Sequence, residues 1–234
     1  MTAAPLAERT ALVTGGTRGI GRAVAGALTA AGARVTLLAR DAGALDRVAS
    51  ELGARAIPCD VANDADIDRA LASIGDAPDI LVNNAGLFQP LPLDDTTPAA
   101  LAAALEVNLV APFRFVRAVV PKMRARGRGD IVSIGSIADH QAFPGNAAYG
   151  ASKHGLRALH EVMRTELRGT GIRVTLISPG PVDTSLWDEI DPDSRAGFTP
   201  RSRMLSPDAV AAAVLFAISQ PSDVDVELVR LSRS

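Results

Sequence analysis

The sequence predicts a single α/β domain: a doubly wound, Rossmann-type parallel sheet of about seven strands with helices on both faces. Short runs rich in β-branched residues alternate with longer Ala/Leu-rich stretches, which is the pattern of successive βαβ units. Several short runs are almost wholly apolar, as expected for strands covered on both faces. The length of 234 residues suits one domain with a sizeable core.

Seven segments are predicted as strands, at residues 10–14, 34–38, 55–59, 80–83, 130–134, 173–177 and 226–231. Two of the intervening helices have clear starts, because Thr97 and Ser206 each place a capping hydroxyl before a proline. Residues 99–127 are predicted to form two helices with a break near Pro112, because proline cannot continue the backbone ladder.

One compact domain is expected over residues 1–234, with residues 1–8 as a flexible leader. Residues 185–205 are polar, are interrupted by prolines and a glycine, and contain the only tryptophan, Trp187. They are predicted to form a mobile loop, and loops of this length are often functional lids.

Composition argues against several functional classes. The net charge of −2 and the scattered arginines give no basic surface for nucleic acid. Residues 1–8 lack the features of a signal peptide, and no apolar run approaches the roughly 20 residues that cross a bilayer. Cys59 is the only cysteine, which suits a reducing cytoplasm. These features together lead us to expect a cytoplasmic protein. The three histidines lack metal-site spacing, so no metal site is expected.

The first predicted strand runs directly into a glycine-rich turn at residues 14–21, followed by a helical stretch. Glycines at Gly15, Gly19 and Gly21 would let the backbone approach a pyrophosphate, which the helix start would attract. The spacing differs from the general G-x-G-x-x-G motif, so an ordinary strand-to-helix turn is the alternative. The position at the first strand–helix junction favours cofactor binding.

The end of the second strand indicates the choice of nicotinamide cofactor. An acid there would bind the adenosine ribose and repel a 2′-phosphate, whereas an arginine accommodates that phosphate. The strand ends in Ala39-Arg40, and Arg18 supplies a second cation from the glycine turn. Asp41 is predicted to cap the next helix. The pattern favours NADP(H) over NAD(H), with two solvated surface arginines as the alternative.

The strongest chemical signal is the pair Tyr149 and Lys153, which lie four residues apart on one face of a predicted helix. A phenol is a poor proton carrier at neutral pH, but a nearby ammonium favours the phenolate and lowers its pKa. A half-buried tyrosine beside a snorkelling lysine is the structural alternative. Ser136 follows an apolar strand, where its hydroxyl could donate a hydrogen bond to a substrate carbonyl.

These motifs together resemble the single-domain branch of the short-chain dehydrogenases/reductases over nearly the whole chain. Seven matching pieces occur in order: residues 14–21, Asp60-Val61, residues 83–86, Asn108, Ser136, Tyr149 with Lys153, and residues 179–184. Each piece alone is weak evidence, but the ordered set with fitting gaps is specific.

The resemblance implies a role for each piece. Tyr149 would be the general acid in reduction and the general base in oxidation. Lys153 would lower the pKa of Tyr149 and bind the nicotinamide ribose. Ser136 would hold the substrate oxygen, and Asn108 would support a water-linked proton path through Lys153. The cofactor contacts would be Gly15, Thr17, Arg18, Gly19, Ile20, Gly21, Arg40, Asp60, Val61, Asn83, Ala85, Gly86, Tyr149, Lys153, Pro179, Gly180, Val182 and Thr184.

The chain departs from the family pattern in two places. Members often have glycine shortly after the catalytic serine, where this chain has Asp139 and His140, so the substrate-side wall is altered. The glycine-rich closing segment common in the family is missing from the C-terminus. Members are commonly dimers or tetramers built through the helices near residues 111–126 and 146–168, so a homo-oligomer is expected.

The sequence therefore predicts an oxidoreductase that transfers a hydride between NADP(H) and a small carbonyl or alcohol. The alternative is a non-catalytic NADP(H)-binding sensor or scaffold, which would be free to lose the serine, tyrosine or lysine. An epimerase or dehydratase usually has a longer chain with a substrate domain. Candidate walls of an apolar substrate pocket are Phe88, Phe143, Trp187, Phe198 and Met204.

Overall fold

The computed structural model describes residues 5–234 and contains a seven-stranded parallel sheet. The strands are β1 (Thr10–Thr14), β2 (Arg34–Ala39), β3 (Arg55–Pro58), β4 (Ile80–Asn83), β5 (Gly129–Ile134), β6 (Ile172–Pro179) and β7 (Leu228–Leu231). Their spatial order is β3-β2-β1-β4-β5-β6-β7. The predicted fold class is confirmed, and each predicted strand coincides with an observed one.

Helices cover both faces of this sheet. They are α1 (Gly19–Ala30), α2 (Ala42–Leu52), α3 (Asp64–Ile74), α4 (Pro98–Leu105), α5 (Ala111–Arg126), α6 (Ala147–Leu167) and α7 (Pro207–Ile218). One core layer combines residues of α1, α2 and α7, and the other combines residues of α3, α5 and α6. The central strands β1, β4, β5 and β6 are therefore buried on both sides, which explains their continuous apolar character.

Residues 98–126 form two α-helices that adjoin near Pro112, as predicted, but the chain stays helical between them instead of breaking. A π-helical turn, Glu106–Val110, connects the two helices directly. Pro112 then falls in the first turn of α5, where a missing backbone N–H is tolerated. The wider turn lets the chain pass a proline without leaving the helical path.

The combined helical run, Pro98–Arg126, has 29 residues and is long and apolar enough to span a membrane by length and composition alone. The expectation that the chain has no such run was therefore wrong. In the fold, its side chains Phe115, Val119 and Met123 are buried in the core layer beneath the sheet. Burial of one face within the domain is the pattern of an amphipathic helix in a globular protein.

The predicted leader is only partly within the described residues, because residues 1–4 lie outside them. Leu6 is 1% exposed, and its backbone N–H donates to the Ala31 carbonyl at 2.9 Å. Leu6 is thus packed against the end of α1, whereas its neighbours Pro5, Ala7 and Glu8 are exposed, and the flexibility of the leader stays a prediction. The anchor is a single leucine that fills the core, a contact between distant parts of the chain.

A buried carboxylate joins several elements at the amino ends of the strands. Asp130, at the start of β5, is 4% exposed and forms ion pairs with Arg9 and Arg173. Arg173 Nε lies 2.7 Å from Asp130 Oδ1, and the same guanidinium donates to the carbonyl oxygens of Ile218, the last residue of α7, and Gln220. This network connects the starts of three strands with the end of one helix.

Replacing Asp130 by alanine is expected to lower the free energy of unfolding by about 3 kcal/mol, because it leaves two partly buried arginines without a counter-charge. Urea unfolding measures the change. The matched control is Asp94→Ala, which removes an exposed carboxylate and is expected to change stability by less than about 0.5 kcal/mol. Equal stability of the two variants would mean that the Asp130 network contributes no net stabilisation.

Candidate active site

The carboxyl end of β1 leads into a turn that requires glycine. Gly15 and Gly19 adopt φ angles of 67° and 53°, in the left-handed region that favours glycine. A Cβ atom at Gly21 would overlap the Gly15 carbonyl oxygen, so the turn and α1 can approach this closely only with glycine there. Arg18 precedes α1 and forms no side-chain capping bond, which leaves backbone N–H groups at the helix start for an anion.

Asn84 connects this glycine turn to the loop after β4. Its Nδ2 donates to the carbonyl oxygens of Thr14 and Gly15 at 2.9 and 3.1 Å. Thr14 Oγ1 in turn accepts from the backbone N–H groups of Asn84 and Ala85 at 2.9 and 3.0 Å. These bonds hold the predicted cofactor residue Ala85 beside the turn. Asn84 was not among the predicted site residues, although its position between Asn83 and Ala85 was a signal.

Other predicted cofactor residues follow β3 and β4. Asp60 Oδ1 accepts from the Ala62 N–H at 3.0 Å and shapes the turn after β3, and Val61 is buried beside it. Asn83, at the end of β4, is 3% exposed, and its side-chain amide has no hydrogen-bond partner within residues 5–234. Gly86 is exposed next to this strand end.

The end of β2 carries the predicted cationic pair. Arg18 and Arg40 are both exposed, and Arg18 Nη1 lies 3.4 Å from the Ser185 hydroxyl. Asp41 Oδ1 accepts from the Ala44 N–H at 3.0 Å, so this carboxylate caps α2 as predicted. The acid nearest to Arg40 in sequence is therefore engaged by the helix.

Tyr149, Lys153 and Ser136 come together at the carboxyl end of β5. Lys153 Nζ lies 5.7 Å from the centre of the Tyr149 ring and donates to the Ile134 carbonyl at 2.8 Å. Ser136 begins the short turn after β5, and its side chain acts to lower the pKa of the nearby Tyr149 phenol. The sequence had placed Ser136 on a different element from Tyr149 and Lys153, and the fold brings the three together.

Burial dominates the electrostatics of this cluster. Desolvation raises the pKa of the Tyr149 phenol above its ordinary value of 10.0; the hydrogen bond to Ser136 opposes this, and the Asp139 carboxylate adds to it. Desolvation lowers the pKa of Lys153 to about 8, and Asp139 opposes that change. Lys153 was expected to lower the pKa of Tyr149, but its ammonium donates to a carbonyl and burial of the phenol prevails.

Asn108 lies in the π turn and is 1% exposed. Its Oδ1 accepts from the Leu87 N–H at 2.8 Å, and its Nδ2 donates to the Leu87 carbonyl and to Ser152 Oγ, both at 2.9 Å. The side chain therefore ties the loop after β4 to α6. The regular α-helical donor to the Asn108 carbonyl is missing, because that donor would be the nitrogen of Pro112.

Aromatic rings pack in sequence beside Tyr149. The Phe88 and Tyr149 ring centres are 4.8 Å apart, and those of Phe88 and Trp187 are 5.3 Å apart, both edge-to-face. Phe198 packs on the far side of Trp187 at 6.1 Å. Met204 joins the same apolar cluster. Four of the five predicted wall residues are thus in one group.

The fifth predicted wall residue, Phe143, lies elsewhere. It lines a separate hollow of about 360 Å³ together with Leu93 and residues at the start of α6. Tyr149 does not border this hollow. The sequence could not separate the two regions, because both flank the same helix.

Residues 185–205, predicted as a mobile loop, pack over the site through the Trp187 cluster. Arg201 holds the segment with ion pairs to Asp183 and Asp188, at 2.8 and 2.6 Å. The preceding predicted cofactor segment, residues 179–184, follows β6. Its Thr184 lies close to the glycine turn: a Cβ atom added at Gly19 would be only 2.9 Å from Thr184 Cγ2.

Comparison with known proteins agrees with this arrangement. The family model for short chain dehydrogenases matches residues 9–195. The chain belongs to the short-chain dehydrogenase/reductase family. An uncharacterised oxidoreductase of Staphylococcus epidermidis is 31% identical, over 97% of this chain and 98% of the relative. The resemblance found in the sequence is confirmed, and the chain is an oxidoreductase of a family that uses nicotinamide cofactors.

Two solved structures of this family are similar along their whole length. A short-chain dehydrogenase/reductase family protein has a TM-score of 0.88 and 35% identity, with 97% of each chain covered. A metagenomic short-chain oxidoreductase in complex with NADP has a TM-score of 0.84 and 32% identity, covering 98% of this chain and 99% of that one. The fold of this short-chain dehydrogenase/reductase is therefore that of its family.

The glycine turn gives a matched pair of substitutions on one helix. Gly21→Ala is expected to lower the free energy of unfolding by about 1–3 kcal/mol, because the added Cβ overlaps the Gly15 carbonyl oxygen. Gly26→Ala is the control: its Cβ would lie 3.7 Å from Leu52 Cδ2, and it should stabilise α1 by about 0.5–1 kcal/mol. Urea unfolding compares the two, and effects of the same sign would contradict the role assigned to Gly21.

Proposed function

We propose that this short-chain dehydrogenase/reductase transfers a hydride between NADP(H) and a small carbonyl or alcohol substrate. The observation that carries the proposal is the cluster at the end of β5. There Ser136 lies close enough to the Tyr149 phenol to lower its pKa, and Lys153 Nζ lies 5.7 Å from the centre of the phenol ring. A proton donor, a second hydroxyl and a cation in one desolvated site are the groups that carbonyl reduction needs.

The residues at the neighbouring strand ends fit a dinucleotide. The glycine turn admits no side chain at Gly21, and the start of α1 offers N–H groups to a pyrophosphate. We propose that the predicted residues after β3, β4 and β6 line the rest of the cofactor: Asp60, Val61, Asn83, Ala85, Gly86, Pro179, Gly180, Val182 and Thr184. When bound, the nicotinamide supplies or accepts the hydride.

The chain's own residues would handle the proton and the substrate oxygen. The raised pKa keeps Tyr149 a phenol at neutral pH, so it can donate its proton to the carbonyl oxygen during reduction. The Ser136 hydroxyl would hold that oxygen. Lys153, with a pKa of about 8, is mostly an ammonium at neutral pH and would stabilise the phenolate left after proton transfer. Asn108 would support the return of a proton through its main-chain carbonyl.

The preference for NADP(H) is proposed from charge at the end of β2. Arg18 and Arg40 are exposed there and can accept a 2′-phosphate, while Asp41 is engaged as the cap of α2. The solved relative in complex with NADP supports the same choice, at 32% identity.

The aromatic cluster favours a substrate with an apolar part. Phe88 lies edge-on against Tyr149, so a substrate oxygen at the phenol brings its neighbouring atoms against that ring. The loop of residues 185–205 contributes Trp187 to the same wall, which supports its predicted place on the substrate side.

We further propose a homo-oligomer and a cytoplasmic setting. Phe113 on α5 and Val162 on α6 are 47% and 52% exposed, which suits an interface between copies along these helices.

Cys59 is buried, and desolvation raises the pKa of its thiol to about 11, so it is an unreactive core side chain rather than a redox group.

Replacing Tyr149 by phenylalanine is expected to lower NADPH-dependent carbonyl reduction by at least about 100-fold, because the proton donor is lost. The assay uses a mixed panel of ketones, aldehydes, quinones and sugars. NADPH affinity, measured by fluorescence of the bound nucleotide, is expected to stay within about 3-fold, since the phenol is not the main cofactor contact. Retained turnover in this variant would show that Tyr149 is not the general acid. A wild-type protein that binds NADPH but reduces no member of the panel would favour the sensor alternative.

Arg40→Asp is expected to weaken NADPH binding by at least about 10-fold relative to NADH, and Arg18→Asp/Arg40→Asp by more, because the 2′-phosphate would meet acids. Arg168→Asp makes the same charge change at an exposed position at the end of α6 and is the control. Titration of both nucleotides measures the ratio. An unchanged ratio in the double variant would contradict the assignment of the 2′-phosphate site.

A further inference from the structure

Asp139 is a fully buried carboxylate directly behind Ser136. It is 1% exposed, and its Oδ2 accepts hydrogen bonds from the Ser178 hydroxyl and from the Ser136 backbone N–H, the latter at 3.4 Å. Its Oδ1 lies 2.7 Å from His140 Nδ1. The Ser136 hydroxyl accepts from the Ala138 N–H at 3.1 Å, so side chain and backbone cap each other across one turn. This arrangement fixes the position of Ser136.

Gly135 makes the space that this carboxylate occupies. A Cβ atom at Gly135 would lie 2.7 Å from Asp139 Oδ2 and 3.0 Å from Ser178 Oγ. The φ angle of Gly135 is not in the left-handed region, so the glycine serves packing and not backbone conformation. The absence of a side chain at Gly135 thus leaves room for the Asp139 carboxylate.

The charge of Asp139 acts on the proposed catalytic pair. The charged or titratable groups facing it are His140 on its own turn and Tyr149 and Lys153 on α6; the β6 partner, Ser178, is uncharged. A nearby negative charge disfavours a phenolate and favours an ammonium. Asp139 accordingly raises the pKa of both Tyr149 and Lys153.

We propose that Asp139 is a positioning residue of this active site. Its carboxylate, seated in the space left by Gly135, fixes the Ser136 turn and places a buried negative charge beside the catalytic cluster. The catalytic meaning of this inference rests on the proposed carbonyl reduction, whereas its electrostatic part can be measured without any substrate.

A consequence for the reaction follows from the sign of the charge. The form that is active in reduction has a protonated Tyr149 and a protonated Lys153. A neighbouring carboxylate keeps both groups protonated up to a higher pH. Removing the charge should therefore move the alkaline limb of the rate profile to lower pH. A purely structural residue would change the rate or the stability without moving that limb.

The chain offers a direct readout, because Tyr149 is its only tyrosine. Phenolate absorbance as a function of pH therefore reports this residue alone. In Asp139→Asn the midpoint is expected to fall by about one pH unit relative to the wild type, because the shape is kept and the charge is lost. Ser178→Ala is the matched control, because it removes a hydrogen bond to Asp139 but keeps the charge, and its midpoint is expected to stay near that of the wild type. Far-UV circular dichroism on the same samples verifies folding at each pH.

A second variant covers the case in which Asp139→Asn does not fold. Gly135→Ala alone should be destabilised by the contact with the carboxylate, and the double variant Gly135→Ala/Asp139→Gly should recover stability because the added Cβ fills the vacated space. The double variant also lacks the charge, so its Tyr149 midpoint should fall as well. A folded variant without Asp139 whose midpoint equals that of the wild type would overturn the proposal.

The outcomes for the two proposals are separable. A lowered midpoint with no turnover by the wild type would leave the role of Asp139 intact and count against carbonyl reduction. Turnover by the wild type with unshifted midpoints in the Asp139 variants would do the reverse. Agreement between the midpoint shift and the shift of the alkaline limb of kcat/KM would support both.

Discussion

The parallel direction of all seven strands is the constraint on which the site depends. Because every strand points the same way, every carboxyl end reaches the same edge of the sheet. β1 delivers the glycine turn, β4 the loop held by Asn84, and β5 the turn that starts at Ser136. β6 pairs with β5, so Ser178, near the end of β6, lies beside the turn that starts at Ser136. The Asp130 network stands at the other edge, where the strands begin.

Removal of water then sets the chemistry at this edge. A phenol and an ammonium are both driven toward their neutral forms by burial, which leaves Tyr149 protonated and would discharge Lys153. The Asp139 carboxylate also favours the neutral phenol of Tyr149, but it opposes the neutral amine of Lys153. The site thus combines a dry environment with one compensating charge, and neither alone would give the phenol–ammonium combination over a wide pH range.

Local patterns in the sequence were enough for the strands, the helix caps at Thr97 and Ser206, and the Tyr149–Lys153 spacing, because each depends on neighbours within one or two turns. The π turn was missed, since a proline signals a lost hydrogen bond but not how the chain compensates for it. Leu6 and Ser178 were also missed; their partners, Ala31 and Asp139, belong to distant segments. The sign of the Tyr149 pKa shift was wrong for the same reason, because desolvation is a property of the assembled domain.

The ring of Phe88 is shared between two neighbours, the Tyr149 phenol on one side and Trp187 of the 185–205 segment on the other. Movement of that segment away from Phe88 would take the indole off the ring that covers the phenol. The accessibility of the site and the hydration of Tyr149 would then change together. Admission of a substrate and control of proton release would then be two effects of one movement.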